Sequence, residues 1–136
     1  MGMSGARARL VLIVEDDKAT ADLLASAIND ERGYEAFSVE SADEALSALG
    51  RTIPDLVVLD IRLPGVSGLA LYDRIRGDPR FQSVPVVFET GEGREYAQAL
   101  RDRGIATYIR KPFDLEELVR FVKRLVPSGG HATPAA

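Results

Sequence analysis

With 136 residues, 46% of them hydrophobic and 28% charged, the sequence describes one globular domain with a single core and no room for a second catalytic domain. The absence of cysteine excludes disulfides, thiolate metal sites and thiol redox chemistry, and apolar runs of five or six residues fall far short of a bilayer span. The net charge of −4 divides into 9 basic and 15 acidic side chains over the first 90 residues and 8 and 6 over the last 46, a C-terminal third too weakly basic to argue for direct nucleic-acid binding.

In chain order, Leu10-Val11-Leu12-Ile13-Val14 reads as a central strand covered on both faces. Ala21, Leu24 and Ile28 then fall at helical spacing over residues 18 to 31, with Gly33 as a left-handed stop. A second strand is expected at 34 to 39. Ser41-Ala42-Asp43-Glu44 is a capping-box pattern opening a helix whose inner face is Ala42, Ala45, Leu46 and Leu49. Asp55 to Asp60 reads as the third strand. Leu63 to Gly68 is a loop by its Pro and Gly content, followed by a helix with Leu69, Tyr72 and Ile75 inward that Pro79 helps to end. The fourth strand is expected at Val84 to Phe88, a fourth helix at 92 to 103 and the fifth strand at Ala106 to Arg110. Asp114 caps a last helix carrying Leu115, Leu118, Val122 and Leu125.

Five strands alternating with five helices over short connections predict a (βα)5 doubly wound α/β domain. The flavodoxin-like order 2-1-3-4-5 is expected for its parallel sheet. The folded unit is expected over residues 8–126, between flexible ends at 1–7 and 127–136. The single histidine, His131, falls in that tail, so the fold holds no Ser/His/Asp triad, no histidine zinc site and no phosphohistidine of its own. The start Met1 to Ala6 has no secretory h-region, and Ala6 stands where a myristoylation signal has Ser or Thr; a cytoplasmic location is expected, with no membrane attachment.

Order 2-1-3-4-5 sets strands one and three side by side, and both end in acids: Glu15-Asp16-Asp17 and Asp60. Ligands of open α/β sheets bind at the carboxyl ends of such strands. Converging carboxylates resist ionisation unless something positive sits among them, and an all-oxygen acidic site suits a hard cation such as Mg²⁺. Thr90 and Lys111 end the remaining central strands, offering a hydroxyl donor and a compact ammonium. Lys111 is one of only three lysines, and Lys111-Pro112 permits a cis peptide. Together these groups describe an aspartyl-phosphate site.

At this point the sequence strongly resembles the receiver domain of two-component response regulators. The resemblance spans about residues 8 to 126 and rests on Val14-Glu15-Asp16-Asp17, on Asp60 to Gly68, on Thr90-Gly91 and on Tyr108-Ile109-Arg110-Lys111-Pro112-Phe113. It implies that Asp60 is the phosphoacceptor. It further implies that Asp16 and Asp60 ligate Mg²⁺ with the carbonyl of Arg62, and that Glu15 acts through metal-bound water. Asp17 matches an additional acid, Lys111 the lysine that reaches the phosphate, and Thr90 and Tyr108 the switch pair. Arg62, Gly91 and Glu92 occupy positions that tune phosphoryl lifetime. The implied partners are a sensor histidine kinase or a histidine phosphotransfer protein, and a downstream protein or second copy docking on helix four, strand five and helix five. That face carries Arg101, Arg103, Arg110, Arg120, Lys123 and Arg124, a mildly basic surface. The chain departs from the family by about one residue missing between Thr90 and Lys111.

Phosphotransfer of this kind is self-catalysed rather than enzymatic turnover of a free substrate. Two rival functions are weighed against it. A pseudo-receiver, binding protein without phosphotransfer, would lack an acid, the threonine or the lysine; this chain has all of them. A phosphohydrolase with an aspartyl nucleophile needs a second acid two residues after it, where Arg62 stands.

Overall fold

The computed structural model describes residues 7–91 and 96–128. Its strands are β1 (Arg9–Val14), β2 (Tyr34–Val39), β3 (Leu56–Asp60), β4 (Val86–Thr90) and β5 (Tyr108–Arg110), in the order β2-β1-β3-β4-β5. All four pairings are parallel. The helices are α1 (Lys18–Asn29), α2 (Ala42–Leu49), α3 (Gly68–Arg76), α4 (Ala97–Asp102) and α5 (Leu115–Leu125). The doubly wound sheet expected from the sequence is therefore the observed architecture.

Period-two alternation along the strands builds two cores. Leu12, Val14, Val57, Leu59, Val86 and Phe88 face α2, α3 and α4, whereas Val11, Ile13, Leu56, Val58, Val87 and Ile109 face α1 and α5. β3 is buried at all five positions, which is why its sequence shows no polar alternation.

Local chemistry sets the helix starts. Asp17, Ser41, Ser67 and Asp114 each accept hydrogen bonds from backbone N–H groups in the first turn of α1, α2, α3 and α5. The box at Ser41 closes one residue early: Glu44 Oε1 accepts from the Glu40 N–H rather than from Ser41. Other differences from expectation have physical reasons. Gly77 closes α3, while Pro79 opens a separate 3-10 turn (Pro79–Phe81) capped by Asp78. Its missing N–H costs nothing at a first turn. Leu71, not singled out by the helical spacing, is more buried than Leu69. Gly33 does adopt φ +90°, but three residues beyond the α1 cap at Asp30, where it turns the chain into β2. β5 is shorter than expected, and α4 begins at Ala97 among the described residues. The expected start of that helix at 92 lies outside them.

The segment after α5 returns to the amino-terminal edge of the sheet. Arg9 Nε donates to the Pro127 carbonyl at 2.9 Å and the Tyr34 hydroxyl to the Val126 carbonyl at 2.7 Å.

Candidate functional site

The strand phase that builds the α1/α5 core continues one step past it on four neighbouring strands. Glu15 follows Val11 and Ile13, Asp60 follows Leu56 and Val58, Glu89 follows Val87, and Lys111 follows Ile109. Residues two apart share a sheet face, and β3 and β4 align Asp60 with Glu89. Three carboxyls and one ammonium therefore meet on one face of the carboxyl edge. Lys111 Nζ lies 3.4 Å from Asp60 Oδ2, 3.6 Å from Glu15 Oε1 and 4.0 Å from Glu89 Oε1.

The backbone holds the opposite oxygens of two of these acids. The Arg62 N–H donates to Asp60 Oδ1 at 2.9 Å, and the Asp17 N–H donates to Glu15 Oε2 at 2.9 Å. Gly68 is a structural requirement of the same corner. A Cβ there would stand 2.2 Å from the Asp60 carbonyl oxygen and 2.8 Å from Ile61 Cα, so only glycine lets α3 start against the end of β3. Asp16 is exposed and completes the cluster, since one oxygen each from Glu15, Asp16 and Asp60 lie within 4.8 Å of one another. Asp17 stands apart as the α1 cap, its carboxylate taken by Thr20.

Burial dominates the electrostatics. Desolvation, with the neighbouring Glu15 charge adding to it, outweighs the Arg62 N–H and Lys111 and pushes Asp60 up to about 6. Glu89 is wholly buried; desolvation first, then its contact with Glu15 and the charges of Glu15 and Asp60, push it up to about 10. At neutral pH it is a carboxylic acid. Neither Glu89 oxygen meets a hydrogen-bond donor from another residue, as expected if Glu89 itself carries the proton and donates it toward Glu15. Burial opposes the charge on Lys111, but Asp60, Glu15 and Glu89 together raise it above the ordinary lysine value.

Thr90 and Tyr108 lie on the opposite face, the one shared with Phe88 and the α3/α4 core; Thr90 is buried and Tyr108 half-buried. β4 and β5 pair Phe88 with Tyr108 and Thr90 with Arg110, so the two residues are diagonal neighbours. The Lys111 N–H donates to the Thr90 carbonyl at 2.8 Å, and the Lys111-Pro112 peptide is cis. Beside Thr90, a Cβ at Gly91 would meet nothing within 4 Å among the described residues. Arg62 faces the start of α4, its guanidinium carbon 6.0 Å from the Tyr96 ring centroid. Glu92, expected at the same mouth, lies outside the described residues.

The expected set Glu15, Asp16, Asp60, Thr90 and Lys111 is thus gathered at one edge, with Tyr108 beside it. Glu89 was not expected. The signal was present: an acid in strand phase with Val87, aligned with Asp60, at the carboxyl end of an otherwise apolar strand.

A family profile described as the response regulator receiver domain matches residues 11–123. This chain is a response regulator receiver domain. Its sequence is 38% identical over 120 residues to the phosphate regulon transcriptional regulatory protein PhoB of Rhizobium meliloti, a match covering 85% of this chain and 51% of PhoB. The chain therefore spans about half the length of that regulator. It is also 37% identical to a 14.6 kDa protein of Leptolyngbya boryana, covering 84% of this chain and 87% of that one. Among solved structures, the receiver domain of NtrX from Brucella abortus superposes with a TM-score of 0.76 at 36% identity, covering 85% of this chain and 97% of that one. A response regulator receiver protein from Pseudomonas putida gives 0.79 at 28% identity, covering 89% and 99%.

Proposed function

We propose that Asp60 accepts a phosphoryl group from a partner histidine kinase or histidine phosphotransfer protein, with Mg²⁺ bound, and that the acyl phosphate reshapes a protein-binding surface on α4, β5 and α5. The observation that carries this reading is the Lys111 ammonium seated between Asp60 and Glu15, at 3.4 and 3.6 Å, with Asp16 at the open side. A cytoplasmic setting suits such a partner. No helix among the described residues is long and apolar enough to cross a membrane.

The donor set fits a hard cation. Glu15, Asp16 and Asp60 supply only oxygen, one atom of each within 4.8 Å of the others. Asp16, Asp60 and the Arg62 carbonyl would hold Mg²⁺, with Glu15 reaching it through water. When bound, the ion offsets negative charge on the transferring phosphoryl oxygens. The protein's own residues do the rest. An Asp60 carboxylate oxygen attacks phosphorus in line as the bond to the donor nitrogen breaks, and the donor imidazole leaves with a proton from solvent. Lys111 and the Thr90 hydroxyl collect the phosphoryl oxygens, and Gly91, with no side chain of its own, leaves access to them. Drawing the Thr90 hydroxyl inward frees volume on the face it shares with Tyr108, whose ring can then turn in.

Incubation with acetyl phosphate and Mg²⁺ should add one phosphate per chain by intact mass, and Asp60→Asn should take up none. Asp16→Ala should abolish the Mg²⁺-dependent part. Equal labelling of the Asp60→Asn variant would show that the acceptor lies elsewhere.

A further inference from the structure

Every polar group at the carboxyl edge has an assigned task except the most deeply buried one. Glu89 is 0% exposed in a strand whose neighbouring residues, Val86, Val87 and Phe88, are apolar. An apolar side chain would be the less costly occupant there, because an unpaired buried carboxyl loses its water without compensation. Its neighbours explain what it can do. The backbone fixes only the outer oxygens of Asp60 and Glu15. Their inner oxygens, Asp60 Oδ2 and Glu15 Oε1, face Lys111 Nζ, and Glu89 Oε1 approaches the same ammonium from the buried side at 4.0 Å. Lys111 is itself 34% exposed on a flexible stem and could swing outward.

We propose that Glu89 is a positioning residue of the acyl-phosphate site, a buried carboxyl that gives the Lys111 ammonium an inner seat. The inference rests on the phosphoacceptor reading of Asp60 and deepens it. Once an Asp60 oxygen is esterified by phosphorus, that oxygen no longer carries the charge that held Lys111. Glu15 and Glu89 then keep the ammonium in reach of the phosphoryl group, and the Phe113 ring, 5.9 Å from Nζ, flanks it on the outer side.

The experiment compares wild type, Glu89→Gln and Glu89→Leu in acetyl phosphate labelling with Mg²⁺ across donor concentrations, with Asp60→Asn as the blank. The leucine variant should reach a limiting rate about tenfold lower with little change in half-saturating donor, since Lys111 acts on the transferring group. The glutamine variant should recover to within about threefold of wild type, because its amide oxygen keeps an acceptor for Lys111 at the same place. Leucine at the wild-type rate, or glutamine as slow as leucine with both variants folded, overturns the proposal. A second readout needs no phosphotransfer. With only three lysines in the chain, the Lys111 side-chain NMR resonance, assigned with Lys111→Arg, should shift in the leucine variant and hold in the glutamine variant. Failure of wild type to label would sink the phosphoacceptor reading, while this resonance would still decide the role of Glu89: no shift with leucine rejects it.

Discussion

Asp60 and Glu89 both bind a proton more tightly in the fold than in the unfolded chain, and the sign of their effect on stability follows. Their contribution is fully present below the ordinary values of 3.8 and 4.5 and is lost as pH rises, through about 6 for Asp60 and about 10 for Glu89. The metal-free protein should therefore melt at a lower temperature at about pH 8 than at about pH 5, and Glu89→Gln should flatten the slope above about pH 6. Calorimetry in chelator across that range checks it; a melting temperature that rises with pH would contradict the burial assignments. Glu89→Leu should stabilise the fold by roughly 1–3 kcal/mol in urea titrations, since it replaces a buried carboxyl, whose oxygens accept from no donor among the described residues, with an apolar side chain. Stability and labelling would then move in opposite directions. At this scale the sequence announced Glu15 and Asp60, because each ends an apolar run, with Asp16 next to Glu15, and Lys111, because it is one of three lysines and stands at a strand end before a proline. Glu89 falls just past the expected strand Val84–Phe88, whereas β4 runs from Val86 to Thr90 and buries it.

Elements were legible wherever a period or a cap spoke for them. β3 is a continuous apolar run, and Asp114 opens α5 as its position before Leu115 predicts. What could not be read were the places where one element meets another. Gly68 looked like one more loop glycine beside Pro64 and Gly65, yet it is the contact that lets α3 begin against β3. Gly68→Ala should cost roughly 1–3 kcal/mol by overpacking and slow Asp60 labelling, because the clash falls on the Asp60 carbonyl itself; urea titration together with the labelling assay checks both. Charge pairing between elements was equally invisible. Arg103, expected on a basic docking face, is forked onto Asp73 of α3 at 2.8 and 2.9 Å, and Lys123 pairs with Glu31 beside α1. The face on α4, β5 and α5 is less basic than its sequence suggests.

For the whole molecule, the two cores separate the parts of the proposed switch. Lys111 and the acids occupy the α1/α5 face, and Thr90 with Tyr108 the α3/α4 face. β4 and β5 join them, since Glu89 and Thr90 are consecutive and Lys111 follows Arg110. Beryllofluoride with Mg²⁺ should accordingly change amide exchange mainly in residues 86 to 112 and in α5. Changes restricted to α1 and α2 would rule out this route.

The hydrogen bonds that bring Pro127 and Val126 back to Arg9 and Tyr34 set both described ends of the domain at one pole, with Asp60 at the other. β3 and β4 run between those poles for five residues each, a span of about 17 Å. The domain is thus wired like a lamp: leads enter and leave together at the base, and the bulb faces away. Spliced into a surface loop of a host protein, it would strain that loop little and still turn its acidic mouth toward an approaching donor.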